Sequence, residues 1–89
     1  MKVQNMTSSN GNAIPNQFNI HDGNTRIFQS YDKTIVKIKN GVAYLDEKYW
    51  NYSQTTGKYR NQFLNLTTKE TEQKIKSGEF ILTNLNKEI

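Results

Sequence analysis

The sequence predicts an α+β domain: an antiparallel β-meander of two hairpins, two short helices on one face, and a short C-terminal strand. Three observations lead there. Asn40-Gly41 joins two runs of alternating hydrophobic residues, the arrangement of a tight hairpin. Thr67-x-x-Glu70 has the form of a helix capping box. A length of 89 residues with 34% hydrophobic content allows one domain with a single small core.

Taken in order, residues 1–13 are rich in Ser, Asn, Gly and Gln with little to bury, and read as a flexible tail. Pro15 opens a domain expected over 14–85, and 86–89 read as a frayed end. Phe18 and Ile20 alternate with polar neighbours before Asp22-Gly23-Asn24 and a second extended run, which makes a first hairpin. Its register stays open: a two-residue Asp-Gly loop pairs Phe18 with Ile27, a three-residue loop pairs it with Phe28. In the second hairpin, Asn40 and Gly41 suit a type I′ turn because both central positions need φ > 0. Counting outward pairs Lys39 with Val42, Ile38 with Ala43, Lys37 with Tyr44 and Val36 with Leu45. One face is then Val36, Ile38, Ala43 and Leu45, which must be core. The other carries Lys37, Lys39, Val42 and Tyr44, and is either solvated or a binding face.

Beyond Asp46 the period changes. Ser53 can cap a helix in which Tyr59 and Phe63 share a side at i, i+4. Gly57 and two threonines weaken that helix, so a tertiary contact must hold it. Thr67 and Glu70 open a second helix from about Thr68 to Ser77, with Gly78 as a left-handed stop. Its apolar content is little more than Ile75, so it lies on the surface. Phe80 and Leu82 alternate with Ile81 and Thr83 in the last strand. The expected core is Phe18, Ile20, Ile27 or Phe28, Val36, Ile38, Ala43, Leu45, Trp50, Tyr59, Phe63, Leu64, Ile75, Phe80 and Leu82.

Twelve bases against eight acids give a net charge of +4. That balance favours nucleic acid or an acidic protein surface, although a solvated lysine-rich exterior satisfies it equally. With no cysteine, disulfides, thiol chemistry and Cys-ligated zinc are excluded, and one histidine excludes a His-rich metal site. There is no apolar leader and no run long enough to cross a bilayer, so cytoplasmic residence without membrane contact is expected. A homodimer would add useful buried area.

Enzymology has little support. His21 and Asp22 occupy a turn with no nucleophile nearby in sequence. Asp46-Glu47 and Glu70-x-Glu72 lack the His, Cys or glycine loop that metal or phosphate chemistry needs. Gly57-Lys58 lacks the spacing of a phosphate loop, and Tyr59 stands where a Ser or Thr belongs. No catalytic residue, metal or cofactor is expected. The richest stretch is Tyr49 to Thr71, which mixes aromatics with Lys58, Arg60, Lys69, amides and hydroxyls. Trp50 reads as a plug between sheet and helices. Tyr52 can stack on a base, Arg60 can fork onto guanine or phosphate, and Asn61 can pair with adenine. The expected contact residues are therefore Lys37, Lys39, Tyr44, Tyr52, Lys58, Arg60, Asn61 and Lys69. The two abutting helices mimic a helix-turn-helix, but the second lacks the amphipathic body that motif needs.

From Phe28-Gln29-Ser30-Tyr31 through Leu45-Asp46, Tyr49-Trp50, Tyr52-Ser53, Lys58 to Leu64, Thr67 to Thr71 and Lys76 to Glu79, the chain resembles small uncharacterised proteins encoded by phages and plasmids of Gram-positive bacteria. The resemblance implies a mobile-element setting in a bacterial host and carries no activity. Two functions of different classes follow: a nucleic-acid-binding accessory protein, or an effector that binds and inhibits a host protein. Charge placement separates them. A nucleic-acid binder should line up Lys37, Lys39, Lys58, Arg60 and Lys69 on one face, whereas an inhibitor should show an apolar patch with a polar rim.

Overall fold

Six strands and two helices make up the fold in the computed structural model, which describes residues 1–87. Strands β1 (Lys2–Thr7), β2 (Ala13–Asp22), β3 (Thr25–Ser30), β4 (Lys33–Lys39) and β5 (Val42–Asp46) form an antiparallel meander. Helices α1 (Gln54–Leu64) and α2 (Thr68–Lys76) then carry the chain back, so that β6 (Phe80–Thr83) pairs with β5 in parallel. A parallel neighbour needs such a crossover, and the two helices supply it. The class is α+β, with a six-stranded, mostly antiparallel sheet in chain order.

The N-terminal segment corrects the expectation of a loose tail. Lys2 to Asn5 pair with Phe18 to His21, and Ser8 to Asn12 close a turn through Ser8 N donating to Asn12 O (2.9 Å) and Gly11 N to Ser8 O (2.9 Å). Only Met6 of β1 is buried. Ladder hydrogen bonds and the single buried side chain of Met6 hold this edge strand, too little for hydrophobic patterning to reveal it. At the other end, Asn86 is held: its Nδ2 donates to Thr34 O (2.8 Å) and its Oδ1 accepts from Thr34 N (2.7 Å). The remainder of the expected frayed end, residues 88 and 89, lies outside the described residues.

The first hairpin takes neither anticipated register. Its loop is Gly23-Asn24, with Asp22 opposite Thr25, Ile20 opposite Ile27 and Phe18 opposite Gln29. Gly23 has φ +61° while Asn24 is not left-handed, the pattern of a type II′ turn with glycine first. In the second hairpin Asn40 (φ +52°) and Gly41 (φ +81°) are both left-handed, and all four pairs from Val36–Leu45 to Lys39–Val42 form as counted from the sequence. Between β3 and β4 the register shifts by one residue, so that Ile35 is inserted and both Ile35 and Val36 are buried.

Alternation then sorts the sheet. Phe28, Val36, Ala43 and Leu45 face the helices and pack with Met6, Ile35, Tyr59 and Phe63. The Phe28 and Phe63 rings lie 5.8 Å apart. Ser30 and Thr56 share a buried hydroxyl–hydroxyl bond of 2.9 Å, which docks α1 on β3. Of the alternatives Ile27 or Phe28, Phe28 joins this core; Ile20 is buried as expected, but the register places it, with half-buried Phe18, on the opposite face. Leu82 is exposed rather than core, because it sits on the short edge strand β6. Asp46 turns the chain out of the sheet: its carboxylate accepts from Lys48 N, Tyr49 N and Leu85 N.

Both helix starts form as the sequence indicates. Ser53 Oγ accepts from Thr56 N (3.1 Å). Thr67 Oγ1 accepts from Glu70 N (3.1 Å) while Glu70 Oε1 accepts from Thr67 N (2.9 Å). These bonds from Thr67 hold the Glu70 carboxyl below its ordinary range.

Gly41→Val puts a β-branched side chain at φ > 0 in open space, so its cost is conformational and should reach about 1 kcal/mol or more in a denaturant melt; an unchanged midpoint would remove the turn from the account. Because the Glu70 carboxyl is depressed on folding, its contribution is complete above the ordinary carboxylate range and disappears as pH falls through the lowered value. Glu70→Gln should therefore flatten the acid limb of stability against pH, measured by melting between neutral and strongly acidic buffers.

Candidate functional site

Arg60 is the largest fully buried side chain, with 0% exposure, and it corrects the sequence expectation of a surface contact. Its Nη1 donates to Trp50 O (2.5 Å) and Asn51 Oδ1 (3.1 Å), and its Nη2 to Asn61 Oδ1 (2.9 Å) and Thr68 Oγ1 (2.9 Å). The guanidinium carbon lies 5.2 Å from the Trp50 ring centroid. All four acceptors are neutral. Burial lowers the Arg60 pKa from its ordinary value, with Glu72 opposing at longer range. An arginine remains charged under such a shift, so a cation is clamped between the β5–α1 connection, α1 and the start of α2. Trp50, read as a plug, is half-buried and supplies this clamp with a carbonyl and a ring face.

Above this cation lies an open concavity of about 620 Å³, lined by Asn51, Tyr52, Gln54, Lys58, Asn61 and Thr68, with Ser53 and Gly57 completing it. Gly57 is buried in α1, and a Cβ there would sit 3.7 Å from both Arg60 Nη2 and Asn51 Oδ1. Three expected contact residues, Tyr52, Lys58 and Asn61, thus come together around the buried fourth. Tyr52 is 46% exposed and packs edge-on to Tyr49 at 5.3 Å. Asn61 is half-buried and turned inward, its Oδ1 on Arg60 and its Nδ2 on Thr68 Oγ1 (3.2 Å). Lys69 is exposed on α2 and does not line the concavity.

Lys37, Lys39 and Tyr44 stand on the other side of the sheet. They alternate with Val36, Ile38, Ala43 and Leu45, and so project away from the helices. The five basic residues expected on one face are therefore split between opposite sides of the molecule, with Arg60 buried. The sheet face that Lys37 and Tyr44 occupy carries a cross-strand row through all six strands: Val3, Ile20, Ile27, Lys37, Tyr44 and Ile81. Phe18 lies in the adjoining row between Asn5 and Gln29. Sequence reading found the Lys37, Lys39, Val42 and Tyr44 part of this surface but not its continuation over β1 to β3, because Phe18 and Ile20 were assigned to the helix-side core and the first-hairpin register was left open between Ile27 and Phe28. The signal that could have found it is Gly23, the glycine that a type II′ loop wants at its first central position. By alternation the strand acids of this face are Asp22, at a hairpin corner, and Asp46, whose oxygens are already occupied by backbone N–H groups. Residues 84–87 border one end of the face, where Ile27, Thr34 and Lys37 line a hollow with Asn84, Leu85 and Lys87.

The model of a family of unknown function, DUF8033, matches residues 1–80. The chain belongs to this family. The DUF8033 match runs from before β1 to the first residue of β6, and so takes in the concavity and the β1 to β5 part of the opposite sheet face. No curated protein and no solved structure matches the chain. Among the described residues, no helix is long and apolar enough to cross a membrane.

Arg60→Lys keeps a charge but cannot reach four acceptors that diverge around a planar fork. It should lower stability by about 2 kcal/mol or more, since hydrogen bonds to charged groups contribute about 1.5–3 kcal/mol each. Chemical denaturation of the two proteins measures this, and equal midpoints would show that the clamp is dispensable.

Proposed function

We propose that this DUF8033 chain is a non-enzymatic accessory protein of a phage or plasmid, acting in the bacterial cytoplasm, and that it binds single-stranded nucleic acid across the sheet face opposite the helices. One observation carries the reading: Tyr44 and Lys37 pair directly at the middle of an open sheet, with Ile27 beside them and Lys39 one row away. A half-exposed tyrosine offers a ring face on which any base can stack, and a neighbouring ammonium meets the phosphate that follows it. Phe18, three strands from Tyr44 and one row along, adds a second ring at roughly 16 Å, taking the usual strand spacing and rise. The polar residues between them, Gln29 and Thr34, suit hydrogen bonding to base edges. The mobile-element setting rests on the likeness of the Phe28–Tyr31, Tyr49–Ser53 and Lys58–Leu64 stretches to phage- and plasmid-encoded proteins.

A second reading, a host-protein inhibitor, is favoured by a different feature of the same face. Val3 and Ile81, at the two ends of the central row, are 56% and 41% exposed, and Val42 is exposed one row away. Apolar side chains with a polar surround suit a protein partner.

Titration of a fluorescent single-stranded oligonucleotide at two salt concentrations separates the two. Lys37→Ala with Lys39→Ala should weaken binding and reduce the slope of log K against log salt by about 1.4, two phosphate contacts on a single strand. Tyr44→Ala should cost about 1–3 kcal/mol at both salts. Binding unaffected by all three changes would sink the nucleic-acid reading. Capture of a host protein that survives nuclease, together with no oligonucleotide binding, would establish the other.

A further inference from the structure

The hydrogen bonds around Arg60 have a directional consequence for the concavity above it. Thr68 Oγ1 accepts from both Arg60 Nη2 (2.9 Å) and Asn61 Nδ2 (3.2 Å), so both of its lone pairs are engaged and its own proton is left to donate. Asn51 Oδ1 accepts from Arg60 Nη1 (3.1 Å), which leaves its amide N–H₂ as the outward group. Ser53 Oγ accepts from Thr56 N, so its hydroxyl proton is likewise available. Gln54 and Thr55, the first two helical residues of α1, have N–H groups with no intrahelical acceptor. The buried guanidinium thus gathers the oxygens inward and leaves donors facing the opening.

Charge points the same way. Among the described residues, the hydrogen-bond acceptors of the Arg60 cation are neutral, with Glu72 acting on it only electrostatically, and no carboxylate lines the concavity; Lys58, on its wall, adds an ammonium that lies 5.4 Å from the Tyr59 ring centroid. The first turn of α1 contains no acid, so the positive end of its dipole is not countered locally. A buried cation, an exposed lysine and several donors around one open hollow together favour a compact anion.

We propose that the concavity formed by Asn51, Ser53, Gln54, Lys58 and Thr68 over the Arg60 guanidinium binds a phosphate group. Its volume of about 620 Å³ exceeds what inorganic phosphate needs, and Tyr52 on its wall offers a ring to whatever the phosphate is attached to. A phosphate monoester, free or at the end of a larger molecule, fits that chemistry. The site lies across the sheet from Lys37 and Tyr44, so it stands or falls independently of nucleic-acid binding there.

The test is an amide-resolved NMR titration of the full chain with inorganic phosphate, at ionic strength held constant with chloride. Saturable shifts concentrated at Gln54, Thr55, Lys58 and Thr68 are expected. Lys58→Gln, a change at an exposed position that should leave the fold intact, should raise the dissociation constant about tenfold; Lys58→Glu should abolish saturation. Adenosine monophosphate distinguishes the sources: tighter binding with added shifts at Tyr52 marks a nucleotide-type monoester, and affinity equal to that of phosphate marks the bare group. Shifts that do not saturate, that spread evenly over the lysines, or that persist unchanged in Lys58→Glu would overturn the proposal.

Discussion

A guanidinium that is fully buried with only neutral hydrogen-bond acceptors among the described residues orients the helical side of this sheet. Desolvating an ion costs several kcal/mol, and removing it from water is tolerated only where hydrogen bonds replace the lost hydration. Here Trp50 O, Asn51, Asn61 and Thr68 do so together, with contributions of about 1.5–3 kcal/mol per charged hydrogen bond as the offset. The four acceptors belong to three consecutive segments, which the guanidinium ties together at one point. The geometry of the fork therefore fixes how the β5–α1 connection, α1 and α2 sit relative to one another, which a core of modest size could not do alone. Gly57 lies against this clamp: a Cβ there would be in ordinary van der Waals contact, 3.7 Å, with the guanidinium and Asn51.

Legibility in the sequence followed the type of interaction. The Asn40-Gly41 hairpin, the Ser53 cap and the Thr67–Glu70 box rest on neighbours in the chain, and each is found where the residues indicate. The first hairpin offered two loops around Asp22-Gly23-Asn24, and a third was adopted, because the choice depends on which residue takes positive φ. Strand β1 was hidden since its ladder bonds are to main chain and its two apolar side chains, Val3 and Met6, are too few and too widely spaced to make a pattern. The parallel docking of β6 depends on a crossover whose direction no local pattern specifies.

The binding surfaces were partly legible for the same reasons. Lys37, Lys39 and Tyr44 were placed on one face by counting from a turn, and the count holds. Tyr52, Lys58 and Asn61 meet at one hollow, as their proximity in sequence suggested. Arg60 was misread because arginine is rarely buried without an acid nearby, and four neutral acceptors leave no charge pattern to notice. A basic patch inferred from linear spacing merges the two sides of a sheet, whereas alternation and helix packing separate them.

The parallel pairing of β6 with β5 also orders events during synthesis. The β1–β5 meander needs only contacts between consecutive strands, which close quickly once each turn has emerged. The open edge of β5 receives its partner only when residue 80 and those after it are available, because Ala43 pairs with Phe80 and Leu45 with Leu82. Until then the nascent chain displays an unpaired strand beside a half-formed core, the arrangement most prone to intermolecular pairing. Leu85 reaching Asp46, and Asn86 reaching Thr34, then act as the last fastening of the chain.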